Sequence, residues 1–444
     1  MKNLCLTVLL FGASVHADIL QVPTEYKTIQ LAIDAATTGD AVHISSGTYY
    51  EKIDLLGKSI EVIGIDGPET TTIDATGLNG SVIHCANNEG PKTVISGLTL
   101  TGGTGTLHPV WKTLQGGGIF VYLASPTISN CIITGNQAEY AGGMWVQEYF
   151  SSITNVRFEN NQATFPKLGG AGGLYLWNST ALVENCEFEN NSSVGAGGAM
   201  RTKIQAGYTA GNSVIRNCTF NSNSAGQFGG AVATYRSTPT FEQCSFTNNT
   251  ATEFAGAFNV GGILVSGVTV NFSSCIFSGN TAGIYGGGLR VNQAGAIFEK
   301  CVISNNSAPV YGGGIAVIGG DGVATCSISG SLIQNNSSGS GGAIYHLDIA
   351  SSDIDSTTIC GNGPNPIVGE WVDLGGNTLA SSCTNFCSGD IDADGRVNVS
   401  DILDLIADFG PCNGIDSCFS DLNDDGEVNV SDILILIGNW GECQ

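Results

Sequence analysis

Along most of the chain, apolar and polar residues alternate in short runs such as Cys218-Thr219-Phe220 and Leu289-Arg290-Val291, with Gly or Asn between the runs. A period of two marks strands that bury one face, and the Gly and Asn mark turns. Three segments depart from this pattern. Tyr26–Ala36 sets Ile29, Ile33 and Ala36 at helical spacing. Ser400–Phe409 and Ser431–Trp440 do the same with Ile402, Leu403 and Ile406, and with Ile433, Leu434 and Ile437. At the start, Lys2 precedes an apolar run from Leu4 to Ala13 and then Val15-His16-Ala17, which predicts a secretory leader over residues 1–17. No later run approaches the ~18 apolar residues that a membrane-spanning helix needs, so no span is predicted.

Between residues 116 and 344 the strands recur inside a longer phrase, close to C-x-[FI]-x-x-N-x-A-x-x-[YF]-G-G-[AG] followed by an apolar residue. Its asparagines are Asn136, Asn161, Asn191, Asn223, Asn249, Asn280, Asn306 and Asn336, spaced by 25 to 32 residues. That spacing holds two or three short strands and their turns but no helix. It suits one coil of a parallel β-helix, with each strand pairing with its equivalent ~4.8 Å away in the next coil. Stacked asparagines would then bond along the solenoid, and the paired glycines would supply positive φ at the bends. Strand-like runs at 41–44, 59–65, 70–74 and 93–100 extend the same object towards the N-terminus, where the helix over Tyr26–Ala36 would cap the open end.

Composition adjusts this picture. The 444 residues carry 39 acidic and 15 basic side chains, a net charge of −24, yet 42% are apolar and 63 are Gly. This much apolar content excludes a disordered acidic chain, and the scarcity of Lys and Arg argues against nucleic acid or an anionic membrane as partner. Residues 388–444 hold 13 acidic and 1 basic side chain and residues 1–387 hold 26 and 14, so half the net charge sits in a short C-terminal segment. Of the 15 Cys, Cys131, Cys186, Cys218, Cys244, Cys275 and Cys301 share one repeat position, two residues before an inward Phe or Ile. They are expected as free, buried thiols. Disulfides are expected instead near the C-terminus, where Cys412 and Cys418 lie in an insert and Cys443, Cys383 and Cys387 stand near it; the connectivity is open.

The stretch Ala41-Val42-His43-Ile44-Ser45-Ser46-Gly47-Thr48-Tyr49-Tyr50-Glu51, followed by Ile60-Glu61-Val62-Ile63-Gly64, resembles the opening coils of the pectin methylesterase and pectate lyase-like proteins. The later F-x-x-N and G-G-[AG]-[ILV] phrases are similar to the repeats of the chlamydial polymorphic outer-membrane proteins. Both resemblances imply a right-handed parallel β-helix. The Q-D-T, D-F-I-F-G and L-G-R-P-W phrases of pectin methylesterases are absent, as are the N-T-D and G-H-G phrases of polygalacturonases. There is also no Asp between Asp74 and Asp321.

Two surfaces remain as candidates on the solenoid. Glu159 and Glu189, flanked by Arg157, would be ~5 Å apart on adjacent coils in register, a separation that fits a retaining glycosidase; an exposed ion pair is the plainer alternative. After the glycines, Phe120, Tyr122, Trp145, Tyr175, Trp177 and Tyr235 are expected to face outward, with Arg201, Lys203 and Arg290 on neighbouring coils. Rings in such an array lie against sugars and the cations pair with uronates, unless turns or loops cover them.

The C-terminal segment carries different chemistry. Asp390, Asp392, Asp394, Asn398 and Asp401 place oxygen side chains at positions 1, 3, 5, 9 and 12 of a loop with Gly395 at position 6 and the Arg396 carbonyl at position 7. Asp421, Asn423, Asp425, Asn429 and Asp432 repeat the array with Gly426 and the Glu427 carbonyl. A hard cation needs six to eight such oxygens, so two Ca²⁺ sites are predicted. Each loop leads into one helix, and Val397–Leu403 and Val428–Leu434 share the sequence VNVSDIL. Ser400 and Ser431 stand where either a partner contact or an N-cap belongs. A loop followed by a single helix (an F-hand), duplicated, resembles the dockerin family. The resemblance implies calcium binding and docking onto a cohesin-like or surface scaffold protein.

The expected organisation is therefore a leader at 1–17, a right-handed β-helix at 18–383 and a small α-helical, dockerin-like calcium-binding domain at 384–444. The expected role is a secreted or cell-surface protein acting in polysaccharide binding or adhesion rather than catalysis. The alternatives are a lyase or glycoside hydrolase acting on an acidic polysaccharide, and a structural surface protein.

Overall fold

A computed structural model describes residues 17–148, 151–165, 169–208, 212–262, 268–383, 389–391, 396–411, 420–423 and 427–442. The leader up to His16, Asp392, Asp394, Gly395, Asp425 and Gly426, and Cys387, Cys412, Cys418 and Cys443 lie outside them.

Among the described residues the strands form parallel stacks of 25, 12 and 8, the walls of a β-helix. Equivalent residues pair coil to coil: Phe158 with Phe188, Phe188 with Phe220, and Phe220 with Phe246. Inside, the rings of Phe158, Phe188, Phe220, Phe246 and Phe277 lie face to face with centroids 4.7 Å apart at each step, which is the strand spacing itself. Helix α1, Ile29–Ala35, is capped by Thr28 and buries Ile29, Ala32 and Ile33 against the first coil.

The asparagine ladder is continuous and buried. Each Oδ1 accepts both the backbone N–H and the side-chain Nδ2 of the previous asparagine, as Asn223 does for Asn191 at 3.0 and 3.1 Å. Each Nδ2 also donates to a carbonyl of the preceding coil, as in Asn223 to Phe188 at 2.9 Å. Asn362, not anticipated from the repeat, adds a last rung by accepting from Asn336.

The glycine pair divides its work, unlike the expectation. Only the first takes positive φ, for example Gly229 at 64° and Gly286 at 68°. The second is needed for space, because a Cβ on Gly230 would overlap the carbonyl oxygen of Gly256 in the next coil.

The six aligned cysteines are free and buried, as expected, and so are Cys85 and Cys326. Their thiols point at carbonyls of their own coil and the previous one, as Cys218 does to Arg216 at 3.2 Å and Val183 at 3.6 Å. Cys383 pairs with Cys360 of the last coils, which corrects its assignment to a C-terminal disulfide group.

In the C-terminal segment, helices α2 (Val399–Ala407) and α3 (Val430–Gly438) pack through Leu405, Leu436, Val397 and Val428. Their N-caps are Asn398 and Asn429 rather than the serines, which donate their backbone N–H groups to those asparagines. The packed face also differs from the expected one: Ile402 and Ile433 lie half-buried beside Leu405 and Leu436, while Leu403, Ile406, Leu434 and Ile437 are at least half exposed.

Candidate functional site: an aromatic cleft roofed by a hairpin

The twelve-stranded sheet carries the candidate site. Its strands Ile119–Tyr122, Met144–Gln147, Leu174–Trp177, Met200–Lys203 and Val232–Tyr235 turn their first and third residues inward, as the pleat requires. The second and fourth face out and stack in register. One column runs Phe120, Trp145, Tyr175, Arg201, and the other runs Tyr122, Gln147, Trp177, Lys203, Tyr235.

Facing outward does not leave these rings exposed. Phe120, Trp145 and Tyr175 are 1%, 0% and 0% accessible, because a second layer covers them. Its main part is an antiparallel hairpin, Thr106–Leu107 with Leu114–Gln115, which brings His108 and Trp111 over the sheet. Trp111 stands 5.9 Å from Trp145 and 4.6 Å from Trp177 between ring centroids. Tyr140 and Phe165, stacked at 4.4 Å, close the other side. Ala141 and Ala171, small residues just before the glycines, leave room for this satellite core.

A cleft of about 460 Å³ remains between the layers, lined by Trp111, Thr113, Tyr140, Trp145, Phe165, Tyr175, Trp177, Lys203 and Gln205. Lys203 Nζ lies 4.3 Å above the Trp177 ring and 5.4 Å from that of Tyr235. The Arg201 guanidinium sits 5.4 Å from Tyr175, and Arg236 at 5.4 Å from Tyr235. Burial, with Arg201 and Arg236 adding repulsion, lowers the Lys203 pKa to about 8. No carboxylate forms an ion pair with Lys203 or Arg236 among the described residues, although the chain is strongly acidic. The Trp145 and Trp177 indole N–H groups and the Tyr175 hydroxyl are buried without a hydrogen-bond partner among the described residues. Unpaired donors of this kind cost stability unless something else bonds to them.

Of the predicted ring and cation set, the structure brings Trp145, Tyr175, Trp177 and Lys203 to the cleft, with Arg201 and Tyr235 flanking. Phe120 and Tyr122 pack around His108 instead. Arg290 is elsewhere, 4.7 Å from the Phe254 ring and bonded to Asn259 and Asn292. Trp111, Phe165 and Arg236 were not predicted. Phe165 stands four residues after Asn161, as Tyr140 does after Asn136, whereas the hairpin lies just before the repeat begins at Gly116 and no periodicity marks it.

The carboxylate pair lies on the 25-stranded sheet. Glu159 and Glu189 are register neighbours as predicted, but Arg157 holds Glu159 at 2.6 Å and Glu69 at 2.7 Å, with Glu187 at 3.8 Å. This is an ion-pair network, the plainer of the two readings.

At the C-terminus, Asp401 and Asp432 are fully buried at the helix starts, and Asp421 is 8% accessible. Asp401 accepts from the N–H groups of Ile391 (2.7 Å) and Asn398 (2.8 Å), and Asp432 from those of Leu422 (2.8 Å) and Asn429 (2.9 Å). Buried carboxylates at the two helix starts of an acidic module have the donor chemistry that fits a hard divalent cation, although no three such groups gather among the described residues. Val399, Leu403 and Ile406 on α2, and Val430, Leu434 and Ile437 on α3, form two matching exposed apolar stripes.

No curated protein sequence matches the chain. Among solved structures it is similar to the A-module of mannuronan C-5 epimerase AlgE4 from Azotobacter vinelandii (15% identity, 80% of this chain and 95% of that one, TM-score 0.46). It is also similar to the catalytic unit of a GH87 alpha-1,3-glucanase from Streptomyces thermodiastaticus (13%, 84% and 68%, TM-score 0.43) and to PfbA, a surface adhesin of Streptococcus pneumoniae (16%, 76% and 91%, TM-score 0.40). The model of the dockerin type I domain matches residues 388–439. That of the right handed beta helix region matches residues 81–262 and 206–359, more than half of the chain. The chain therefore belongs to the right-handed β-helix family and carries a C-terminal dockerin type I domain.

Proposed function

We propose that this protein is exported to the cell surface, binds an acidic polysaccharide in the cleft beside Trp111 and Trp177, and is tethered through its C-terminal module. The observation that carries the binding role is the cleft itself. Indole faces suit the apolar faces of sugar rings, the unpaired Trp and Tyr donors suit hydroxyls, and Lys203 with Arg236 suits a carboxylate. In the tether, Asp390, Asp392, Asp394, Asn398 and Asp401 with the Arg396 carbonyl would hold one Ca²⁺. Asp421, Asn423, Asp425, Asn429 and Asp432 with the Glu427 carbonyl would hold the second. The two apolar stripes offer a cohesin-like scaffold equivalent faces. Catalysis at Glu159 and Glu189 is not part of the proposal, since Arg157 ties up Glu159 in an ion pair and the cleft lies on another sheet.

The test is retention of the full chain on immobilised polygalacturonate, alginate and a neutral glucan. Retention on an acidic polymer that Trp177→Ala abolishes is expected. Release of reducing ends or unsaturated products would overturn the non-catalytic reading, and no retention on any polymer would overturn binding.

A further inference from the structure

The hairpin that supplies Trp111 to the cleft is held in an unusual way. Its base is fixed by backbone bonds between Leu114 and Glu139–Tyr140 and by the Glu139 carboxylate, which accepts from Leu114 N–H at 2.6 Å. The tip is closed by two backbone bonds, His108 N–H to the Thr113 carbonyl at 2.8 Å and Lys112 N–H to the His108 carbonyl at 3.1 Å, and the stretch between them, which carries Trp111, is held by one side chain. The N–H groups of Val110 and Trp111 both donate to His108 Nδ1, at 3.1 and 3.2 Å. The opposite ring nitrogen, Nε2, bonds Gln147 Oε1 at 2.9 Å, and the Gln147 amide nitrogen donates in turn to Glu148. This set of partners fixes the tautomer: the imidazole is neutral, with its proton on Nε2 and the Nδ1 lone pair shared by two backbone donors. The ring is fully buried, stacked on Trp111 at 4.2 Å and edge-on to Tyr122 at 5.1 Å.

We propose that His108 is a proton-sensitive latch that keeps the Trp111 wall of the cleft closed at neutral pH and releases it on acidification, so that ligand retention is regulated by pH. This rests on the binding role given to the cleft. A proton on Nδ1 removes the acceptor of both tip N–H groups and sets a third donor against them, while placing charge in an aromatic surround. The charged and titratable groups that face the ring are Lys112 on the hairpin, Glu148 after the strand beneath and Tyr122 beside it. Burial is the largest influence and lowers the His108 pKa; the Gln147 bond and Glu148 oppose it, and Lys112 adds to it. The native state thus holds the neutral form, and the latch weakens as pH falls below the ordinary histidine value of about 6.5.

Three measurements on the full chain decide it. Long-range ¹H–¹⁵N spectra at pH 7.5 are expected to show one histidine locked as the Nε2–H tautomer and lost in His108→Gln. Iodide or acrylamide quenching of tryptophan should rise at least twofold between pH 7.5 and 5.5, chiefly from Trp111, as Trp111→Phe would show. His108→Gln should abolish that pH dependence, with far-ultraviolet circular dichroism reporting an intact solenoid. Quenching that is flat with pH in the parent chain, or that keeps its pH dependence in His108→Gln, overturns the latch. Polygalacturonate retention should fall at least tenfold over the same range in the parent and stay level in His108→Gln. Absence of retention at every pH counts against the binding role alone, because quenching still decides the latch.

Discussion

Replacing Asn249 by Ala removes four hydrogen bonds from the middle of the ladder. Its Oδ1 accepts from Asn223 N–H at 2.9 Å and Asn223 Nδ2 at 3.1 Å, and its Nδ2 donates to the Phe220 carbonyl at 2.9 Å and Asn280 Oδ1 at 3.0 Å. Asn249 is fully buried, so water cannot replace them. Two backbone groups, Asn223 N–H and Phe220 C=O, lose their side-chain partner. At about 1–3 kcal/mol for each buried group left unsatisfied, the loss is about 2–6 kcal/mol. At about 1.4 kcal/mol per decade that is roughly 30-fold to 10⁴-fold in the local opening equilibrium. Native-state hydrogen exchange is the suitable assay, because a solenoid opens coil by coil and a global melting temperature averages over the coils. The Asn223 amide should lose protection by that factor. The neighbour is the control: Asn248 is exposed with φ at 56°, so Asn248→Gly should leave protection almost unchanged. Equal effects of Asn249→Ala and Asn248→Gly, or a loss under about threefold at Asn223, would refute the view that the side-chain ladder holds the coils.

Lys203, with its pKa lowered to about 8, carries its charge at neutral pH and loses it above that value, so retention on an anionic glycan should decline between pH 7 and 9. Lys203→Arg should remove the decline; an unchanged profile would separate this side chain from ligand charge. Arg157→Ala, which breaks a largely exposed ion pair, should cost at most about 1 kcal/mol in urea denaturation. Glu159→Gln with Glu189→Gln should leave glycan retention as it is. Calorimetry of the full chain with Ca²⁺ should give two sites, and Asp432→Ala should leave one; two sites in that variant would displace Asp432 from the ligand set.

The interior was legible because stacking in register repeats every interior requirement once per coil. Asn223, Cys218 and Phe220 announce themselves by recurring, and the period of 25 to 32 residues leaves few other folds. Asn362 escaped because the glycine phrase that follows the other rungs is lost there. The outward residues were harder. Alternation correctly set Trp145 and Tyr175 on the outer face, but it cannot show that an insertion such as Thr106–Gln115 folds back over them. Their burial depends on contacts between chain segments without shared periodicity. The packed side of α2 and α3 was misjudged for a related reason. When Ile402, Leu403, Leu405 and Ile406 are all apolar, spacing alone does not choose between the face that meets Leu436 and the face left bare. Cys383 could not be assigned from the sequence, since its partner Cys360 stands outside the aligned cysteine column.

The uniform phenylalanine stack has a consequence for how this molecule changes over time. Each level from Phe158 to Phe277 meets the next through the same ring geometry. In this column, therefore, a level can be duplicated or deleted with its neighbours still matching. Along this column nothing records which level is which, although the other inward columns vary, as from Val183 and Ile215 to Phe241 and Phe272. Individuality resides in those columns and in the outward ones, so the solenoid can lengthen or shorten while its recognition face is rewritten one level at a time.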